Sequence, residues 1–403
     1  MAAPAERDSL RPAADPGRGA RDAARVGLYV HVPFCAVRCA YCDFSSGALS
    51  AARVERYLES MAREAARRAP AAAGVWFTSA FVGGGTPSTL SARSFRRLWT
   101  IVRDHFDLAP EAEVTLEANP ETVKPALLEA WREGGVNRLS MGAQSFDAGE
   151  LERLGRIHGP ARPGEAFALA RRAGFERMSL DLMFGYPGHG AATWARTLDR
   201  ALELQPEHLS AYCFIPEDAT PMGHAALSGA AALPSPDAQA ERYEELGERA
   251  AAAGFRGYET SNFCRPGGEA RHNLVYWLRR EYLGLGPSEH GLWRGVRYGN
   301  AYALEAWASA LERGADPSER EPETAASRAD EIVMLALRLE DGLDARDHPS
   351  DAWDLVVARH GGALSAAVLE GRLEENGRGW RIAPHHRFVA DDVIAWILAR
   401  ARR

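Results

Sequence analysis

Val26-Gly-Leu-Tyr-Val-His-Val32-Pro-Phe-Cys35-Ala-Val-Arg-Cys39-Ala-Tyr-Cys42 joins an apolar, β-branched run to three cysteines in a C-x3-C-x2-C array. The run has the length and composition of a buried strand. Three thiolates bind three irons of a cubane cluster and leave the fourth iron with an open coordination position. A fully ligated cluster mainly carries electrons, whereas an open iron holds a substrate or cosubstrate, so the spacing points to chemistry as well as structure. The alternative is a structural zinc site with His31 as fourth ligand. Such sites usually offer two short ligand pairs across a longer loop, and the sequence has no second pair.

The chain has 403 residues, 46% of them apolar, enough for one large domain of the barrel class and a smaller one. A net charge of -7 gives no general electrostatic reason to bind nucleic acid, and no apolar run reaches the length of a membrane span, which leaves peripheral membrane contact at most. Five cysteines, three of them clustered, do not form a disulfide framework, so a reducing cytoplasm fits best. Cys213 and Cys264, left over, read as small buried hydrophobes. Lys124 is the only lysine; with nearly all positive charge on arginine, the composition favours fork-like recognition of carboxylates over Schiff-base chemistry. Residues 1–25, rich in Ala, Arg and Pro but carrying Glu6, Asp8, Asp15 and Asp22, read as a disordered leader rather than a targeting segment.

From residue 27, short apolar runs alternate with amphipathic stretches. Strands are expected at Leu28–Val32, Ser79–Gly83, Glu113–Ala118, Arg138–Met141, Met178–Phe184 and His208–Phe214. Between them lie helices such as Val54–Arg68, where Val54, Tyr57, Leu58, Met61 and Ala65 recur at helical spacing. Strands each followed by a helix imply a parallel sheet with right-handed crossovers, and at this length a partial barrel or a doubly wound sheet. The unusual residues fall where strands end: Cys35, the loop Gly83-Gly-Gly85-Thr86-Pro87, Glu117-Ala-Asn-Pro120, Gln144, and Asp181 with Gly185. In parallel barrels that face carries the active site. A Pro/Gly/Ala-rich connection runs to about residue 236, a helix follows at Ala238–Ala253, and Tyr258–Tyr298 is rich in glycine and aromatic residues. The last stretch, with helices near Ser327–Leu339 and Asp351–Arg359, a hairpin around Trp380 and a helix from Asp391, suggests a winged-helix-like module. The divisions expected are therefore 1–25, 26–236, 237–310 and 311–403.

Read singly, these features have plain alternatives. Gly83–Pro87 is a tight turn unless something approaches too closely for side chains, Glu117 is a solvated carboxylate at a strand end, and His272 with Tyr276 and Trp277 is a loop packed into a core.

Read together, Tyr29-Val-His-Val-Pro-Phe-Cys35, Gly83–Pro87, Glu117-Ala-Asn-Pro120, Arg138-Leu-Ser-Met-Gly-Ala-Gln144-Ser-Phe146, Leu154-Gly-Arg156-Ile-His158 and Asp181-Leu-Met-Phe-Gly-Tyr-Pro187 resemble the radical S-adenosylmethionine superfamily. Within it they are similar to the oxygen-independent coproporphyrinogen oxidase group and its heme-chaperone relative, HemW. The resemblance implies an α/β fold, a partial (β/α)6 TIM-like barrel with a C-terminal helical, winged-helix-like module. It implies a [4Fe-4S] cluster on Cys35, Cys39 and Cys42, with the methionine part of S-adenosylmethionine on the open iron. By position it implies cosubstrate contacts at Tyr29, Gly84 and Glu117, and at Tyr41, Gly85, Thr86, Gln144, Arg156 and Asp181, the latter partly to a second molecule in the oxidase. The chemistry implied is one-electron cleavage of the sulfonium bond to methionine and a 5'-deoxyadenosyl radical.

Two features point from the oxidase towards the chaperone. The oxidase group has a further cysteine two residues after the third, where this chain has Phe44. His272-Asn273-Leu-Val-Tyr276-Trp277 matches the H-N-x-x-Y-W motif of HemW-type proteins, and imidazole beside aromatic faces suits heme iron and a flat macrocycle. Arg265 and Arg271, near in sequence, suit propionates and equally suit a solvated surface. The expected function is therefore heme binding and transfer to acceptor proteins, with an electron donor for the cluster. Oxidative decarboxylation of coproporphyrinogen is the alternative, and a heme-opening methyltransferase is a third. Family members usually carry a small-residue loop where this chain has Gly284-Leu-Gly286-Pro287-Ser288-Glu289-His290-Gly291, so no ligand contacts are expected there.

Overall fold

The computed structural model describes residues 21–401 except residue 24. The leader expected over 1–25 thus lies largely outside the described residues. At its described end Arg21 is buried, donating to Gly342 O at 3.2 Å and pairing with Asp347 at 3.0 Å.

Six parallel strands follow one another across the sheet in chain order: β1 (Val26–Val32), β2 (Trp76–Gly84), β3 (Asp107–Ala118), β4 (Arg138–Gln144), β5 (Arg177–Phe184) and β6 (His208–Cys213). Helices cross between them, as the alternation of patterns requires. Local chemistry sets their ends. Ser50 caps the first crossover helix, Ala51–Arg68, by accepting from Arg53 N, and Tyr57, Leu58, Met61 and Ala65 form its buried stripe. Pro125 opens Pro125–Glu133, and Gly135, at φ +84°, turns the chain out of it. The second and third strands begin several residues earlier than expected. Asp107, Pro110 and Glu111 break the alternation there, and the pairing shifts register between Phe77 and Ser79.

Further strands extend the expected six-stranded barrel on both edges. β7 (Glu281–Leu285) runs parallel to β1 on its other edge, pairing Leu28 with Leu283. β8 (His290–Trp293), β9 (Val296–Asn300) and β10 (Ser318–Pro322) continue outwards antiparallel. Arg294 and Gly295, both at positive φ, make the two-residue hairpin between β8 and β9. At the other edge Asn262–Cys264 runs antiparallel to β6. The region rich in glycine and aromatic residues is therefore largely sheet, in strands too short and too glycine-rich to announce themselves by period.

The C-terminal part has its own core, built from helices Ala325–Ala336, Ser350–Leu369 and Ala390–Ala401 against a three-stranded sheet ordered Leu343–Asp344, Gly379–Ile382, Leu373–Glu375. This matches the helix-helix-hairpin order expected. No helix among the described residues is long and apolar enough to cross a membrane.

One buried carboxylate fastens the late strands to the early ones. Glu64, on the first crossover helix and fully buried, accepts from Arg68 Nε at 2.9 Å, Gly286 N at 2.8 Å, Asn300 Nδ2 at 2.8 Å and Trp307 Nε1 at 3.1 Å. Truncation would leave a guanidinium and three neutral donors without their acceptor, a loss of about 3–5 kcal/mol for a broken buried pair. Glu64→Ala is therefore expected to lower the urea midpoint and melting temperature measured by circular dichroism markedly, and Glu64→Gln to lower them less.

Candidate functional site

Along β4 the polar residues Arg138, Ser140 and Gln144 alternate with Leu139, Met141 and Ala143, and the two sets face opposite sides of the sheet. The same period turns Tyr29, Phe81, Glu117, Asp181, Ser210 and Tyr212 towards the concave face. That face holds two cavities. The upper one, about 330 Å³, lies at the carboxyl ends of the strands; the lower one, about 220 Å³, lies deeper between them. Glu117, Ser140, Asp181 and Tyr212 belong to the walls of both.

Cys35, Cys39 and Cys42 line the upper cavity as free, half-buried thiols. Their loop is stitched to its neighbours: Ala40 N donates to Leu154 O at 3.1 Å and Met222 N donates to Ala40 O at 2.9 Å. Gly155 fits beneath because a Cβ there would stand 3.1 Å from Ala40 N. Cys35 Sγ lies 3.4 Å from Thr86 Oγ1, and Arg156 Nη1 lies 3.6 Å from Cys39 Sγ. Arg156 Nη2 also donates to Asn119 Oδ1 and Gly142 O, both at 2.8 Å, which fixes the guanidinium over the site.

The Gly83–Pro87 loop packs against the chain leading into Cys35. Gly85 N donates to Val32 O at 2.9 Å and Thr86 N to Phe34 O at 2.7 Å. A Cβ on Gly85 would come within 2.8 Å of Phe34 O, and Gly84 has a φ of +109°. Gly85 is needed because two backbones touch there, and Gly84 because of its positive φ. Tyr41, Gly84, Gly85, Thr86, Glu117, Gln144, Arg156 and Asp181, all expected at the cosubstrate, line the upper cavity together with the cysteines. Tyr29 instead opens on the lower cavity, stacked on Phe81 at 5.6 Å.

Three thiols of one loop line one cavity, the donor set that a cubane with one open iron takes. Among the described residues no trio of His, Cys, Asp or Glu converges as single-ion ligands would. His31, the fourth ligand of the zinc alternative, is otherwise engaged. Its Nε2 bonds Ser45 O at 3.0 Å, and its Nδ1 faces Glu289 at 3.7 Å.

The cavity floor is electrostatically unusual. Burial, and then the neighbouring Asp181, push the Glu117 carboxyl up to about 8, although Gly84 N donates to its Oε2 at 3.1 Å. Burial also raises Asp181, against a hydrogen bond from Ser140 at 3.0 Å.

His272 lies on the short helix Arg271–Trp277, which closes the lower cavity. It is 1% exposed, and both ring nitrogens are engaged, Nδ1 with Ser79 Oγ and Nε2 with Tyr276 OH, each at 2.9 Å. Burial, with Arg138 nearby, pushes His272 down to about 3, so the ring is neutral. Asn273 Nδ2 donates to Tyr258 OH at 3.1 Å, and Trp277 packs against a small core that includes Leu274 and Leu339. As it stands the motif is a packed, hydrogen-bonded unit, and iron would have to displace Ser79 or Tyr276 to reach the ring. Arg265 and Arg271 are spent on backbone carbonyls, those of Pro206 and Ala253 and that of Glu111.

Wall residues not singled out from sequence include Arg138, Ser140 and Tyr212. The strict alternation of β4 was the signal for the first two. Phe44 also lines the upper cavity and is 58% exposed, at its mouth.

Comparison with known proteins agrees with this geometry. The Radical SAM superfamily model matches residues 29–201. The heme chaperone HemW of Mycobacterium tuberculosis is 36% identical over 401 residues, covering 95% of this chain and 97% of that protein. The chain belongs to the HemW family. HemW of Escherichia coli is 33% identical, with 93% and 98% of the two chains covered, and HemW of Bacillus subtilis is 33% identical, with 79% and 84% covered. The solved structure of coproporphyrinogen III oxidase (HemN) from Escherichia coli superposes with a TM-score of 0.80 at 22% identity, over 95% of this chain and 93% of that one. That likeness is one of fold.

The raised carboxyl has a checkable sign. Glu117 binds its proton more tightly folded than unfolded, so its contribution to stability is present at low pH and is lost as pH rises from about 4.5 to about 8. Between pH 5 and 8 the urea-derived stability of Glu117→Gln, which cannot ionise, is expected to fall less with pH than that of the wild type.

Proposed function

We propose that this chain is a heme chaperone that holds a [4Fe-4S] cluster and S-adenosylmethionine in its upper cavity, binds heme, and passes it to acceptor proteins. The observation that carries the reading is correspondence along nearly the whole chain with proteins named heme chaperone HemW. Phe44 supports it at the cavity mouth, where the resemblance puts a cysteine in the oxidase group.

The cluster, when bound, supplies one-electron reduction and an open iron for the methionine part of the cosubstrate. The chain's residues do the holding. In this reading Cys35, Cys39 and Cys42 are the iron ligands, and the Arg156 guanidinium beside Cys39 offsets negative charge gathered there. Gly84 and Gly85 keep side chains out of the way of a ligand lying on their backbone. Glu117 spends Oε2 on Gly84 N and turns its other oxygen to a ligand; protonated near neutral pH, that oxygen can donate as well as accept. Tyr41, Thr86, Gln144 and Asp181 complete the cosubstrate walls, and Tyr29 stands on the wall of the chamber below, which Glu117 shares. An electron donor and a reducing cytoplasm, where the thiols stay free, belong to the same reading.

His272, Asn273, Tyr276 and Trp277 are the heme-contact residues of this proposal. A neutral imidazole is the form that binds iron, and ligation through Nε2 requires Tyr276 OH to let go.

The test is anaerobic reconstitution followed, on one sample, by heme titration in absorbance and product analysis with coproporphyrinogen. Stable heme binding without turnover is expected; decarboxylation at enzymatic rates would overturn the reading. Tyr276→Phe, which frees Nε2, is expected to tighten heme binding and His272→Ala to abolish it, with the cluster intact in both. Equal binding by the three proteins removes His272 as the ligand.

A further inference from the structure

Arg138 is buried to 3% exposure on the wall of the lower chamber. Among the described residues its guanidinium makes no hydrogen bond and no ion pair. Glu117 and Asp181 feel its charge, but neither lies within ion-pair distance. A buried cation without a partner costs several kcal/mol, and the other buried arginines among the described residues have partners: Arg21 pairs with Asp347, Arg387 pairs with Glu340, and Arg242 donates to Ala238 O. Arg138 alone of these four lines an internal cavity.

We infer that the lower chamber is a binding site for a single carboxylate, held by the planar fork of Arg138. A guanidinium fork matches a carboxylate edge with two parallel hydrogen bonds. The rest of the wall is suited to that charge and no more. Tyr258, Asn262 and Ser210 offer neutral polar groups, while the Asp181 carboxylate across the chamber disfavours a multiply charged anion. At about 220 Å³ the chamber falls below the roughly 300–1,000 Å³ of sites that enclose drug-sized ligands. With Tyr276 closed on His272 a whole macrocycle does not fit there, but a carboxylate-bearing arm does. The way in is the wall shared with the upper cavity.

The carboxylate has two sources to distinguish, a propionate arm of heme or a free small acid, and the first rests on the heme-chaperone reading. Both are tested on the reconstituted full chain with three probes: hemin, hemin dimethyl ester and sodium propionate. If a heme propionate is the ligand, wild type binds hemin about tenfold or more tightly than the ester, and the gap closes in Arg138→Gln. If a free acid is the ligand, hemin and ester bind alike, and millimolar propionate raises the melting temperature of wild type but not of Arg138→Gln. Should Arg138→Gln fail to fold, wild type decides: propionate competes with hemin and not with the ester in the first case, and raises the melting temperature more than equimolar sodium chloride in the second. Equal affinity for hemin and ester together with no stabilisation by propionate overturns the carboxylate site. Failure of wild type to bind hemin at all overturns the heme reading instead and leaves the propionate melting shift to decide the chamber.

Discussion

Two backbone hydrogen bonds, from Gly85 to Val32 and from Thr86 to Phe34, hold the glycine loop of β2 against the chain that enters the cysteine loop. The rest of the upper cavity is placed by that contact. It brings Thr86 beside Cys35, leaves Gly84 N turned to Glu117, and lets the register of the parallel strands carry the geometry onward through Ser140 to Asp181. The contact works only between backbones that can touch, which is why a glycine stands at position 85.

The same parallel sheet makes the interior polar. Each strand offers alternate residues to the concave face, and here those residues include two carboxylates, a guanidinium and an imidazole, at Glu117, Asp181, Arg138 and His208, to which a short helix adds His272. A lumen so lined is expensive to keep dry, and in its low dielectric every charge reports on its neighbours. Glu117 is held protonated and His272 neutral for the same reason. A fold of this kind can take up an ionic ligand with little rearrangement, since the polar groups are already out of bulk water.

Much of this was legible in the sequence. The six barrel strands, the capped crossover helices and the convergence of the cysteine, glycine and Glu117 loops on one face follow from period, punctuation and the rule that unusual residues gather at strand ends. What stayed hidden depended on partners distant in the chain. β7 has five residues and is a strand because β1 has an edge to offer. His272 reads as a heme ligand or as part of a packed loop, and nothing nearby in sequence reveals Ser79, which occupies its Nδ1 from β2. Arg138 lay inside a quoted motif without a role, because an unpaired charge is visible only once every neighbour has been placed.

Glu64 carries a consequence for how the chain is made. The first crossover helix and β1 emerge early from the ribosome, yet the partners that complete them, Leu283, Gly286, Asn300 and Trp307, are translated more than two hundred residues later. Until then β1 has a bare edge beside the cysteine loop, and Glu64 has a buried-to-be charge lacking most of its acceptances. Exposed edges of this sort are templates for wrong pairing, and contacts so distant in sequence form slowly. The nascent barrel thus passes through a stage in which its cysteine loop has been synthesised but the strand that seals its flank has not.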